Sequence, residues 1–180
     1  MNKQKLTGAL VILAIGTLLI GPAIAEAATT KKMNGTWASL SEIPPNDMLG
    51  NTVALVFPTL DTYAASGTVV TSSGASVLAV ETDQGSFVGT VGIGQGAWKY
   101  RGGRFISTQW HFINDVATGQ PVGYMKTTAE WSLANKKIGA GSYQVELLQL
   151  DMMTPYTSGG SPAALSGPLQ MWRMPVESFP

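Results

Sequence analysis

Gly92-Ile-Gly-Gln-Gly-Ala-Trp-Lys-Tyr-Arg-Gly-Gly-Arg-Phe-Ile-Ser-Thr-Gln-Trp-His-Phe112 is the stretch on which the fold turns. Glycines and aromatics alternate up to Gly102-Gly103 and continue beyond it, the pattern of a β-hairpin with a two-residue turn. Its arms carry Trp98 and Tyr100 on one strand and Trp110 and Phe112 on the next. Rings of that size need a concave surface to bury them, and a curved sheet or barrel provides one. Gly92, Gly94 and Gly96 share a face, where missing side chains let a sheet coil sharply or let a ring pack on the backbone. The letters Gly92-Ile-Gly-Gln-Gly-Ala97 also match a nucleotide-binding fingerprint. That motif needs a helix immediately after it to receive the pyrophosphate, whereas Trp98 to Gly103 reads as strand and turn.

Working outward, Gly35-Thr-Trp-Ala-Ser-Leu40 opens a first strand, and Ile43-Pro-Pro45 closes it because proline cannot donate to a central ladder. Thr52-Val-Ala-Leu-Val-Phe57 is apolar on both faces, as a central strand or one with a greasy ligand-facing side would be. Short strands are expected over 67–71, 76–82 and 86–91, at the spacing of meanders and barrels, with a long loop over 64–76 as the alternative. In 122–133, Met125, Thr127, Ala129, Trp131 and Leu133 share one face, and Tyr124, Lys126, Thr128, Glu130 and Ser132 the other, an inside/outside split. A strand over 142–150 sets Tyr143, Val145 and Leu147 on one face, and a last strand covers about 167–174. A helical turn is expected only near 161–165. Strands with short junctions pair antiparallel in chain order, and closure removes the free edges of an open meander. The expected fold is all-β, an antiparallel up-and-down barrel of about eight to ten strands.

The first 27 residues read as a signal peptide. Lys3 and Lys5 precede an apolar run over 10–20, followed by Gly21-Pro22 and small-x-small sites at Ala23-Ile-Ala25 and Ala25-Glu-Ala27. For an uncleaved anchor the run is short against the roughly 20 residues of a spanning helix. An exported product, periplasmic or extracellular, is expected, with residues 28–180 as a single domain. Beyond residue 27 the chain carries nine Lys and Arg against ten Asp and Glu, scattered singly or as the pairs Lys31-Lys32 and Lys136-Lys137. Nucleic acid is excluded as an expected partner, because phosphate binding calls for a basic stripe. With no cysteine in the sequence, stability must come from the core and the sheet rather than from disulfides.

If the sheet closes, its first and last strands become neighbours, and Arg173 can lie over the Trp37 ring in a cation–π contact. Ordinary core packing for Trp37 and a surface charge for Arg173 are the plainer reading. Gly35-Thr-Trp37 together with Arg173 resembles the lipocalin (calycin-type) family, in which a Gly-x-Trp on the first strand packs against an arginine near the end of the barrel. The resemblance implies those structural roles for Gly35, Trp37 and Arg173 and a lipocalin-like barrel. The family's middle motif has no counterpart, since Asp61-Thr-Tyr63 stands in a different order and place. The chain is also similar to small exported bacterial barrels with a Gly-x-Gly-x-Trp hairpin followed by a Phe-x-x-Asp-x-x-x-Gly turn, here Phe112 to Gly119. That likeness carries no activity.

His111 is the only histidine. Without cysteine, a transition-metal site would need carboxylates almost alone, so neither a metal nor a cofactor is expected. The absence of a Gly-x-Ser-x-Gly elbow leaves a nucleophilic hydrolase unsupported. His111 then remains for general acid/base work, or as a plain sheet residue. It shares a face with Phe105, Ser107 and Gln109, opposite Ile106, Thr108, Trp110 and Phe112, and either face can be the lumen. Glu130 and Glu146 fall on the polar faces of neighbouring strands, outward as solvated charges or inward as a proton-exchanging pair.

A barrel of about eight strands holds one small ligand. The first functional expectation is binding of a small apolar or amphipathic molecule, walled by Trp98, Tyr100, Trp110, Phe112, Tyr124 and Trp131 and oriented by Arg104 or His111. The second is a barrel that templates a reaction, similar to the allene oxide cyclase and dirigent barrels, with His111, Glu130 and Tyr143 as its actors. The third is a filled barrel with a structural or interaction role. A cavity would separate the first two from the third, and paired ionisable groups inside it would favour chemistry.

Overall fold

The computed structural model describes residues 33–45, 55–73 and 77–175. The expected signal peptide and the first three residues of the expected 52–57 strand lie outside them. Among the described residues the chain forms β1 (Gly35–Ile43), β2 (Leu55–Tyr63), β3 (Thr68–Ser73), β4 (Val77–Thr82), β5 (Gly85–Val91) and β6 (Gly94–Arg101). There follow β7 (Arg104–Asp115), β8 (Pro121–Leu133), β9 (Ile138–Leu148), the two-residue strands β10 (Thr157–Ser158) and β11 (Ser161–Pro162), and β12 (Ala164–Arg173).

Eight of these close a ring in the order β1-β2-β3-β6-β7-β8-β9-β12, every pairing antiparallel, with β12 returning to β1. Trp37 sits directly opposite Arg173 in that closing register. Strands β4 and β5 pair with each other, and β5 continues onto the far end of β7, so this hairpin is an arm outside the ring. The small β10–β11 hairpin interrupts the connection between β9 and β12. The strand boundaries differ from the sequence reading by a few residues in most strands, and in kind at two places. Residues 161–165, expected as a helical turn, hold β11 at Ser161–Pro162 and the start of β12 at Ala164. The second strand, expected to stop at Phe57, runs on through Pro58 to Tyr63; the described β2–β3 register begins only at Thr59, one residue past the proline.

The hairpin between β6 and β7 turns through Gly102 and Gly103, at φ of 59° and 85°. Both are left-handed, as a two-residue turn matched to strand twist requires. At this end of the ring the lumen is filled by rings. Tyr63 packs edge-on to Trp98 at 5.9 Å and lies 5.5 Å from Trp131, which stacks on Phe105 at 5.8 Å. The Trp37 indole joins them from β1, fully buried, with Nε1 donating to Met33 O at 2.9 Å, and the Arg173 guanidinium lies 5.9 Å from its ring centre. The arrangement seals one end of the barrel.

At the opposite end, the β4–β5 tip is tied to the β10–β11 tip. Both Asp83 carboxylate oxygens accept backbone N–H groups, from Gly159 at 3.0 Å and Gly160 at 2.9 Å. Tyr156 packs on Phe87 at 5.5 Å and donates to Val122 O at 2.7 Å. The arm also contributes Leu78 and Val91 to the lumen wall.

Candidate functional site

Between the aromatic plug and the arm the barrel holds a cavity of about 90 Å³. One part of its wall is apolar, with Ile43, Phe57, Met125, Val145, Leu165 and Leu169; the other is polar, with Ser39, Thr59, Asp61, Thr71, Gln109 and His111. The volume is well under the roughly 300–1,000 Å³ of sites for drug-sized ligands. It suits a compact occupant.

Strand register explains how the polar residues meet. Asp61 pairs with Thr71 across β2–β3, and Thr71 pairs with Gly94 across β3–β6. Gln95 faces Trp110 on β7, so the next rung sets Gly94 beside His111. The row Asp61-Thr71-Gly94-His111 thus crosses four adjacent strands on the lumen face. Gly94 is the gap in it. A Cβ there would fall 2.3 Å from Cε1 and 2.4 Å from Nε2 of the imidazole, so glycine is what lets the His111 ring lie across β6 toward the carboxyl.

His111 is 2% exposed, and its Nδ1 lies 3.0 Å from Gly92 O. A carbonyl oxygen only accepts, so Nδ1 carries the proton and the neutral ring leaves Nε2 with its lone pair. Nε2 has no protein partner among the described residues. Burial holds the imidazole below its ordinary pKa, against the opposing pull of the Gly92 bond and the Asp61 charge.

Asp61 is 4% exposed and surrounded by hydroxyls. Thr71 Oγ1 lies 2.6 Å from Oδ1; Ser39 Oγ and Thr59 Oγ1 lie 2.8 and 3.2 Å from Oδ2 and contact each other. Thr71 Oγ1 is also 2.6 Å from Gln109 Oε1. Five oxygen–oxygen contacts therefore share three hydroxyl protons. Turning the Gln109 amide so that it donates to Thr71 supplies a fourth, which covers every contact but the long one between Thr59 and Asp61. Burial lifts the Asp61 pKa above its ordinary value, and the hydrogen bonds from Thr71, Ser39 and Thr59 offset only part of the rise.

The structure scatters the residues singled out from the sequence. His111 and Tyr143 line the cavity. The Tyr143 hydroxyl is engaged elsewhere, donating to Glu42 O at 2.8 Å, and burial with the Glu42 charge pushes its pKa up to about 12. Trp98 and Trp131 point into the barrel but belong to the plug, as does Tyr100, 4.9 Å from Phe105. Trp110, Phe112 and Tyr124 lie on the outer face, where Tyr124 contacts both other rings and Lys126 sits 5.8 Å from the Trp110 ring centre. They cannot wall a lumenal ligand, because β7 turns Ser107, Gln109 and His111 inward. Arg104 and Glu130 form an exposed ion pair at 2.9 Å, and Glu146 pairs with Lys126 at 2.6 Å. Glu130 is therefore removed from any lumenal role.

Asp61, Thr71, Ser39, Thr59 and Gln109 were not anticipated as site residues. The available signal was phase: Phe57, Thr59, Asp61 and Tyr63 continue a two-residue alternation past Pro58. Compared with known proteins, the chain matches no family model, no curated protein and no solved structure. Among the described residues no group of three or more His, Asp or Glu side chains is placed to hold a metal ion.

Proposed function

We propose that this barrel binds a compact amphipathic small molecule in its lumen. The observation that carries the reading is the two-sided cavity, with an apolar wall over Met125, Val145 and Leu169 facing the polar row from Asp61 to His111. Apolar area supplies affinity, and a few fixed polar groups set orientation. An elongated lipid-like ligand does not suit about 90 Å³. The setting that goes with this reading is an exported protein, resting on the signal-like N-terminal sequence.

Methyl resonances of Met125, Leu165 and Leu169 would report occupancy directly. Titration with a panel of compact phenols, ketones and short-chain acids should shift those methyls saturably, and Ala129→Leu, which grows a side chain into the cavity, should abolish the shifts while the rest of the spectrum stays folded. Shifts confined to the outer Trp110–Phe112–Tyr124 surface would overturn the proposal.

A further inference from the structure

Among the described residues, nothing balances the charge that Asp61 brings into the lumen. We propose that the occupant of the cavity is a compact alkylammonium ion, which donates a hydrogen bond to His111 Nε2 and supplies the counter-charge to the Asp61 carboxylate. This rests on the binding reading above and names its ligand class.

Three observations lead to it. The first is the isolation of Asp61, which is 4% exposed and bonded only by the hydroxyls of Thr71, Ser39 and Thr59 among the described residues. Those donors, with Gln109 turned toward Thr71, satisfy its oxygens as a carboxylate but bring no positive charge. A buried ion without a counter-charge is costly even when its hydrogen bonds are made. Among the described residues no Lys or Arg lines the cavity, and the ion pairs Arg104–Glu130 and Lys126–Glu146 lie on the outer side of the barrel. His111 is the one side chain whose charge acts on Asp61. Near neutrality its imidazole is uncharged, because burial holds it below its ordinary pKa.

The second observation is the free nitrogen of that ring. The Gly92 bond occupies Nδ1, so Nε2 is an acceptor without a protein donor among the described residues. It is not walled off. The unpartnered polar atoms that are fully enclosed are Ser107 Oγ and Trp131 Nε1, whereas the His111 ring lines the cavity. The third is the facing wall of Met125, Val145 and Leu169, which offers apolar area to a short alkyl chain.

A protonated primary amine answers all three at once, with N–H donors, one positive charge and an apolar tail. An alcohol of the same length gives the donor without the charge. A carboxylate brings a second negative charge into a space of low dielectric, where like charges repel strongly. The cavity therefore ranks ligands by charge as well as by shape.

NMR titration of the lumenal methyls tests that ranking with propylamine, 1-propanol and propionate at about pH 7.5, where the amine is cationic. Propylamine should shift the Met125, Leu165 and Leu169 methyls saturably and about tenfold more tightly than 1-propanol, as charge-assisted hydrogen bonding allows. Propionate should be the weakest of the three. These measurements need no variant. Asp61→Asn should bring propylamine down to the affinity of 1-propanol while leaving the alcohol's shifts in place, which also reports that the lumen is folded. His111→Phe should weaken both. Equal affinity for amine and alcohol, or a preference for the amine that survives in Asp61→Asn, would overturn the cation assignment and leave the binding reading standing. No methyl shift with any probe of either panel would overturn the binding reading itself.

Discussion

Asp61 and His111 bend the pH dependence of stability in opposite senses. The Asp61 carboxyl has its folded-state pKa above the ordinary value, so the folded protein binds the extra proton, and stability falls as pH rises from about 4 toward that raised pKa. The His111 imidazole has its folded-state pKa below the ordinary value. The unfolded chain therefore protonates first, and stability is lost as pH falls below about 6.5 toward the depressed pKa. Asp61→Asn should remove the first dependence, so its unfolding free energy should gain on the wild type between pH 4 and pH 8. His111→Gln should remove the second and lose less than the wild type on acidification from pH 7 to pH 5. Urea titrations across the pH series would show both. Asp61 was not legible as a lumen residue, because the second strand was expected only over 52–57, ahead of Pro58, and runs on to Tyr63. The ladder tolerates Pro58 where it lies, and the alternation it seemed to end continues through it.

Strand β7 shows why the hairpin was half-readable. Its turn, its partner and its length followed from the glycine pair and the alternation, yet its facing did not, because the aromatic residues Trp110 and Phe112 are on the outside and the polar Ser107, Gln109 and His111 are on the inside. Hydrophobicity assigns faces only where the interior is apolar. It succeeded for β8 and β9, whose inward Met125, Trp131, Val145 and Leu147 meet ordinary core, and was silent where the lumen is polar. The glycines of β6 follow the same logic of close approach. A Cβ at Gly96 would fall 1.9 Å from Thr108 O, a backbone atom that cannot swing aside, while at Gly103 it would meet open space. Gly96→Ala should cost about 3 kcal/mol or more, at the upper end of overpacking. Gly103→Ala should cost about 1 kcal/mol, from its positive φ alone. Denaturant midpoints of the two variants would rank them.

Closure is the property of the whole molecule that the alternation and short junctions made predictable, since an open sheet of this length would leave two edges unpaired. The ring leaves none, and among the described residues the sheet ends at β4, which pairs only with β5. Hydrogen exchange should divide the molecule accordingly, with the β1–β12 amides as protected as those of β8–β9 and the β4 amides opening at lower free energy. Equal protection throughout would mean that the arm is part of the cooperative unit. Because Trp37 finds its rung opposite Arg173, the strand that carries Trp37 waits for a partner the ribosome makes much later. At ~5–20 residues per second that delay is on the order of ten seconds, and through it the nascent chain must be kept from trading partners with its neighbours.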